Sequence, residues 1–229
     1  MKFLHLSILL FLPSFAFAQS TQPTTRIAHF PHMEVDLDKH EIRIECQSLN
    51  PQMPLEFFCV SNGGSEHESV LRTPARPMHI HTALLMLGAK PGESMKYDES
   101  QKRWLPPHGD PIDIFVQTTQ PNGRPLRVPA VAWMRGVKDH KPPKSFQWVF
   151  AGSRIMPDGT YAADTTGYIA TTVNFEFSLI DVPKLASSAN ETLEYEFNPD
   201  TVPPKGTPVT MILRLAHPAQ PDAASPKHP

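Results

Sequence analysis

Twenty-six prolines spread through 229 residues set the first constraint on this chain. Proline lacks a backbone donor and interrupts helices and central strands, so long helices are not expected. Most of what lies between the prolines reads as short strand. Met33–Leu37 and His40–Cys46 alternate apolar and polar residues around Asp38-Lys39, and Leu55–Val60 and His67–Arg72 follow on either side of Asn62-Gly63-Gly64. Ile112–Thr118 and Leu126–Val128 flank Asn122-Gly123, a strong hairpin signal. Gln147–Ala151 reads as a buried strand. Thr160–Asp164 and Tyr168–Asn174 read as a second hairpin around Thr165-Thr166-Gly167, and Leu193–Phe197 and Val209–Leu215 close the core. One segment has helical spacing. Pro77 suits a first helical turn, Ile80, Leu84 and Leu87 share a face, and Gly88 can end the helix. Single turns are expected over Ala130–Met134 and Phe177–Ile180. The expected class is α+β, β-dominated, with antiparallel or mixed sheets and one main short helix, about 77–88, packed on the sheet.

The ends of the chain differ from its middle. Lys2, the apolar run Phe3–Phe17 and the small residues of Ala16-Phe17-Ala18 form a secretory signal peptide, residues 1–18, with cleavage after Ala18. It is too short for a membrane anchor, and no later stretch approaches the roughly 20 apolar residues a span needs. The expectation is an exported protein, periplasmic or extracellular, with no membrane insertion of the mature form. Residues 19–27 read as a flexible leader, 28–215 as a single domain, and 216–229 as a proline-rich disordered tail. The formal charge of −2 gives no electrostatic footprint for nucleic acid.

Two cysteines in an exported chain point to a disulfide between Cys46 and Cys59, worth about 3 kcal/mol if formed. The polar groups with most chemical potential lie between Leu55 and Gly92. Glu66, His67, Glu68 and His81 are the candidate acid–base residues, since a carboxylate beside an imidazole tunes it toward physiological pH. His67 and His81 are also the candidate metal ligands. His79 and His81 sit about 200° apart on a helix and cannot chelate together; there, His81 is expected to hydrogen-bond near the helix start and His79 to face solvent. Aromatic and polar residues in the later strands, Trp148, Ser153, Tyr161, Asp164 and Asn174, are candidates to line a ligand cleft. Dinucleotide-binding, P-loop, zinc-protease and CxxC signatures are absent, and Ser153 lacks the glycine pattern of a nucleophile elbow.

In these stretches the chain resembles the YdjY-like domain family of exported proteins from planctomycetes and related bacteria. The segments that carry the resemblance are LEFFCVSNGGSEHESVL, IHTALLMLGAKPG, WVFAGSRI, YAADTTGYIATTVNF and GTPVTMILRL, across roughly Ile42 to Leu215. The family pattern falls on Leu55, Glu56, Cys59, Glu66, His67, Glu68, His81, Leu84, Gly88, Gly92, Gly152, Ser153, Asp164, Gly167, Asn174 and Phe175. The resemblance implies export and a shared fold and brings no activity with it. Some proteins sharing the name are associated with iron–sulfur ferredoxins; two cysteines are too few for a four-cysteine cluster here.

No cofactor is expected, although the histidines leave room for a transition metal. The favoured reading is a non-catalytic module that binds a small ligand, an envelope component or a protein. A metal-dependent or acid–base hydrolase using His67, Glu68 and His81 is the alternative. A third reading is a structural envelope module in which those groups pin the helix onto the sheet.

Overall fold

The structure, a computed structural model, describes residues 26–51 and 53–216. The expected signal peptide, most of the expected leader and nearly all of the expected tail lie outside the described residues. The strands are β1 Ile27–Phe30, β2 Met33–Asp36, β3 Glu41–Ser48, β4 Phe57–Ser61, β5 Ser69–Thr73, β6 Pro91–Glu93, β7 Lys96–Asp98, β8 Arg103–Leu105, β9 His108–Gly109, β10 Pro111–Thr119, β11 Pro125–Pro129, β12 Met134–Gly136, β13 Trp148–Val149, β14 Tyr168–Thr171, β15 Tyr195–Phe197 and β16 Pro208–Leu215. Two α-helices are described, α1 Pro77–Met86 and α2 Ala162–Thr166, with 3-10 turns at Glu66–Glu68, Ala130–Trp133 and Asn190–Thr192.

A ten-stranded mixed sheet organises the molecule, in the order β11-β10-β16-β3-β5-β4-β14. Strand β2 pairs with both β1 and β3, and β13 pairs with β10. Among the described strand pairs, β4 and β5 alone run parallel, with Phe57 opposite Ser69 and Ser61 opposite Thr73. The fold is thus β-dominated, with a mixed sheet and few helices, as the spacing of the prolines requires. Alternation decides the register. Ile42, Ile44 and Cys46 of β3, Ile112, Ile114 and Val116 of β10, and Met211 and Leu213 of β16 enter one core. The opposite face is closed by charge. Glu41 is buried and accepts from Arg127 and Arg214, with Arg43 at 3.6 Å, while the Arg127 guanidinium lies 4.3 Å over the Phe115 ring. Burial works to raise the Glu41 carboxyl, but the two arginines together hold it below its ordinary value.

Helix α1 buries Pro77, Ile80, Ala83 and Leu84 in the same core. Its end is a Schellman arrangement: Gly88, at φ +86°, donates to Leu85 O at 2.9 Å and Ala89 donates to Leu84 O at 3.0 Å. Its start has no side-chain cap of its own. Asp164 of α2 supplies one from outside, accepting the Met78 N–H at 2.9 Å and the Arg76 guanidinium at 2.5 Å.

Three expectations are corrected. The hairpin expected across 160–174 is a helix and a strand: Ala162–Thr166 coils as α2 before Gly167 turns the chain at φ +77° into β14. Phe177–Ile180 forms no helical turn. The expected Cys46–Cys59 disulfide is not formed, and both thiols are free and buried. The reason is topological. Strand β5 is inserted between β3 and β4, so the cysteines sit two strand spacings apart, about 9–10 Å, beyond the span a disulfide bridges. The side chains still approach, and burial followed by the neighbouring Cys46 pushes the Cys59 thiol well up.

Candidate functional site

Five strands border one crevice. Strands β3 and β10 finish there and the antiparallel β16 begins there, while β4 and β5 run in from the opposite direction, with Arg72 of β5 opposite Gln47 of β3. Their ends frame a crevice of about 390 Å³, lined by Glu45, Cys46 and Gln47 from β3, Asn62 and Pro74 just beyond β4 and β5, Gln117–Thr119 from β10 and Pro208–Thr210 from β16. The rim is held by backbone. Asn62 N–H donates to Thr73 O at 2.9 Å, and the Thr73 hydroxyl donates to Glu45 O at 2.6 Å. A smaller hollow of about 230 Å³ shares Asn62 and Pro74 and reaches Arg76 and Asp164.

The electrostatics of the crevice are muted. Glu45 is the charged residue on its wall, and its carboxylate is 2.9 Å from His32 Nδ1. Gln47 Oε1 accepts from Arg72 Nε and Nη2 at 3.2 and 2.9 Å. The side chains of Asn62, Gln117, Thr118 and Thr210 make no hydrogen bond to any described residue. Two amides and two hydroxyls therefore present both donors and acceptors to the crevice.

The residues singled out from sequence lie elsewhere, and most are committed to internal partners. Glu66 Oε1 accepts the Gly63 N–H and its Oε2 pairs with Arg72, each at 2.9 Å, which ties the glycine turn to β5. His67 is exposed, with Nε2 3.7 Å from Glu68. His81 Nδ1 lies 3.1 Å from Gly152 O and 2.9 Å from Tyr161 Oη, and the Tyr161 hydroxyl donates to the same carbonyl at 2.9 Å. Because a carbonyl only accepts, this contact puts the His81 proton on Nδ1. Burial holds the His81 imidazole below its ordinary value, and Gly152 O opposes that. Gly152 must be glycine here: at φ +89°, an added Cβ would lie 2.7 Å from Pro91 Cβ. His79 does not face solvent as expected; it is half-buried beside the Phe30 ring, and its Nδ1 is enclosed without a partner among the described residues.

His67 and His81 share no partner, and among the described residues no three His, Cys, Asp or Glu side chains converge to hold a metal ion. The expected aromatic cleft is likewise not assembled. Trp148 Nε1 donates to Thr171 O at 2.8 Å, Ser153 Oγ to Phe177 O at 2.7 Å, and Asn174 Nδ2 to Asp181 Oδ1 at 2.9 Å, while Asp164 caps α1. Trp148, Tyr161 and Asn174 are buried. At the centre of this region is Asp181, which sequence reasoning missed. It is fully buried and accepts from Thr171, Asn174 and the Val182 N–H. Burial pushes its carboxyl up to about 6 against those donors.

Glu56 was named only as part of a family pattern. It precedes β4 and lies beside Glu68, its N–H donating to Glu68 O at 3.2 Å. Partial burial, then the charge of Glu68 and a hydrogen bond to it, push the Glu56 carboxyl up to about 7. Neither the crevice residues nor Glu56 carry a motif. Only the pairing of β4 with β5 and the convergence of strand ends bring them out.

No described helix is long and apolar enough to cross a membrane. A family model described as the YdjY domain matches residues 33–214. No curated protein and no solved structure matches the chain. The chain belongs to the YdjY domain family.

Proposed function

We propose that this member of the YdjY domain family is an exported, non-catalytic binding module that takes a neutral, hydroxyl-rich ligand of the saccharide or polyol class into the crevice at the end of its sheet. One observation carries the reading. Asn62, Gln117, Thr118 and Thr210 surround a concavity of about 390 Å³, and their side chains have no partner among the described residues. Amides and hydroxyls that both donate and accept match a ligand rich in hydroxyls, while Pro74, Pro208 and Val209 offer apolar surface to its C–H faces. Glu45 is the single charged residue on the wall and its carboxylate already faces His32, so neutral polar groups dominate the site.

The acid–base alternative requires His67, Glu68 and His81 in one open cleft. His81 is engaged by Gly152 and Tyr161, and His67 stands on the exposed turn before β5, so no observation favours that reading over binding. Calorimetric titration with a panel of neutral oligosaccharides and polyols, with short uncharged peptides as the second arm, tests the proposal. A saccharide that binds the wild type and is weakened at least tenfold by Asn62→Ala with Gln117→Ala supports it. Binding of peptides alone, or saccharide binding unchanged in the double variant, overturns it.

A further inference from the structure

Parallel strands place their first residues side by side, and here the residues just before two such strands are both glutamates. Glu56 precedes β4, Glu68 precedes β5, and the register of Phe57 with Ser69 makes them lateral neighbours. The backbone holds them together through the Glu56 N–H to Glu68 O bond at 3.2 Å, and Thr172 N–H fixes Glu56 from the other side by donating to its carbonyl at 2.8 Å. Two carboxylates cannot hydrogen-bond to each other unless one carries a proton.

We infer that Glu56 and Glu68 form a one-proton latch that docks the 3-10 turn Glu66–Glu68 against the start of β4 when a single proton is shared, and releases it when both carboxyls ionise.

The groups facing the pair supply no lasting cation. From β14 comes Tyr168, whose ring packs on Phe57 at 4.8 Å and whose hydroxyl is pushed up by burial and then by both glutamates. From the turn comes His67, 3.7 Å from Glu68 and charged only when protonated. Glu66 faces Gly63 and Arg72, and Arg72 is held by Glu66 and Gln47. Glu176, on the segment after β14, pairs with Arg154. Neither Glu56 nor Glu68 is paired with a lysine or arginine among the described residues, so the shared proton is what compensates the second carboxylate.

The direction of the effect follows. The folded pair binds its proton more tightly than a free glutamate, with Glu56 raised from 4.5 to about 7. The latch therefore contributes its full stability below pH 4.5 and loses it as pH rises through about 7. A turn that opens on ionisation reshapes the neighbouring surface of Gly63, Gly64, Glu66 and His67. This holds whatever the sheet-end crevice binds.

The test is carboxyl NMR of the full chain with hydrogen exchange at the Glu56 amide from pH 5 to pH 8, corrected for intrinsic chemistry. One glutamate carboxyl is expected to titrate near neutrality. Opening at Glu56 should rise with pH, by up to about tenfold per unit between the free and folded values. Glu56→Gln, which retains a donor toward Glu68, should remain closed and lose that pH dependence. Glu68→Gln should do the same, so a misfolded single variant does not decide the matter. No glutamate titrating near neutrality, or a pH dependence unchanged in both variants, would overturn the latch.

Discussion

The sheet-end crevice and the Asp181 region are both polar, both flanked by apolar surface and both built from ordinary residue types, yet their hydrogen-bond ledgers differ completely. Around Asp181, each polar side chain named above has an internal partner: Trp148 with Thr171, Asn174 with Asp181 and Val182, Tyr161 with Gly152, Ser153 with Phe177. Around the crevice, Asn62, Gln117, Thr118 and Thr210 have none among the described residues. Polarity near aromatics marks a site only when the polar groups are left uncommitted. A satisfied buried network instead fixes one packing of the chain, because breaking it strands donors away from water.

That contrast is breakable by mutation. The largest effect is expected at Asp181. Asp181→Leu removes the acceptor for Thr171, Asn174 and the Val182 N–H, and should cost about 3 kcal/mol or more in urea unfolding at neutral pH. A loss below about 1 kcal/mol would mean that the network is not what holds the 171–186 segment.

Next comes His81→Ala, which removes the tie to Gly152 and Tyr161 and the edge contact with Phe150, for a loss of about 2 kcal/mol. The same variant has a pH signature. The folded imidazole takes a proton less readily than the free one, so its contribution is present above the ordinary value of 6.5 and is lost as pH falls through the lowered folded value. Stability of His81→Ala should therefore vary less than wild type on the acid side of 6.5. Equal slopes in the two proteins would contradict the neutral, Nδ1-protonated assignment.

Cys59→Ser is expected to cost about 1 kcal/mol, since it places a hydroxyl at a fully buried position. Mass spectrometry after alkylation adds a sharper result. Two adducts should form in denaturant without reductant, and few or none at Cys59 in the folded protein. Failure of both thiols to alkylate in denaturant would show that the cysteines are bonded after all.

The smallest stability effect belongs to the crevice. Asn62→Ala with Gln117→Ala should leave unfolding within about 0.5 kcal/mol of wild type, because neither side chain has a described partner to lose. A large loss there would erase the distinction between the two regions.

The same contrast explains what could be read from the chain. Alternation in Ile42-Arg43-Ile44 and Ile112-Asp113-Ile114, the Asn122-Gly123 hairpin and the Pro77-to-Gly88 helix were legible because each is a local pattern with a local cause. The helix at Ala162–Thr166 was hidden because Tyr161-Ala162-Ala163-Asp164 suits strand or helix alike, and the link from Asp164 to α1 that accompanies the helix spans more than eighty residues. The cysteines misled because nothing between Cys46 and Cys59 announces that β5 will enter between their strands. His81 was correctly expected to make a hydrogen bond, but its partners lie on a segment seventy residues away. Asn62, Gln117 and Thr210 are unremarkable in sequence and meet only when β4, β10 and β16 bring their ends together.

The measurement that tests the binding account most directly is backbone and side-chain amide NMR of the full chain during titration with neutral oligosaccharides. The account predicts saturable shifts concentrated at Asn62, Gln117, Thr118 and Thr210, with the Trp148 indole and the Asn174 amide unmoved. Shifts centred on Trp148, Tyr161 and Asn174, or on Glu56, His67 and Glu68, with the crevice silent, would contradict it.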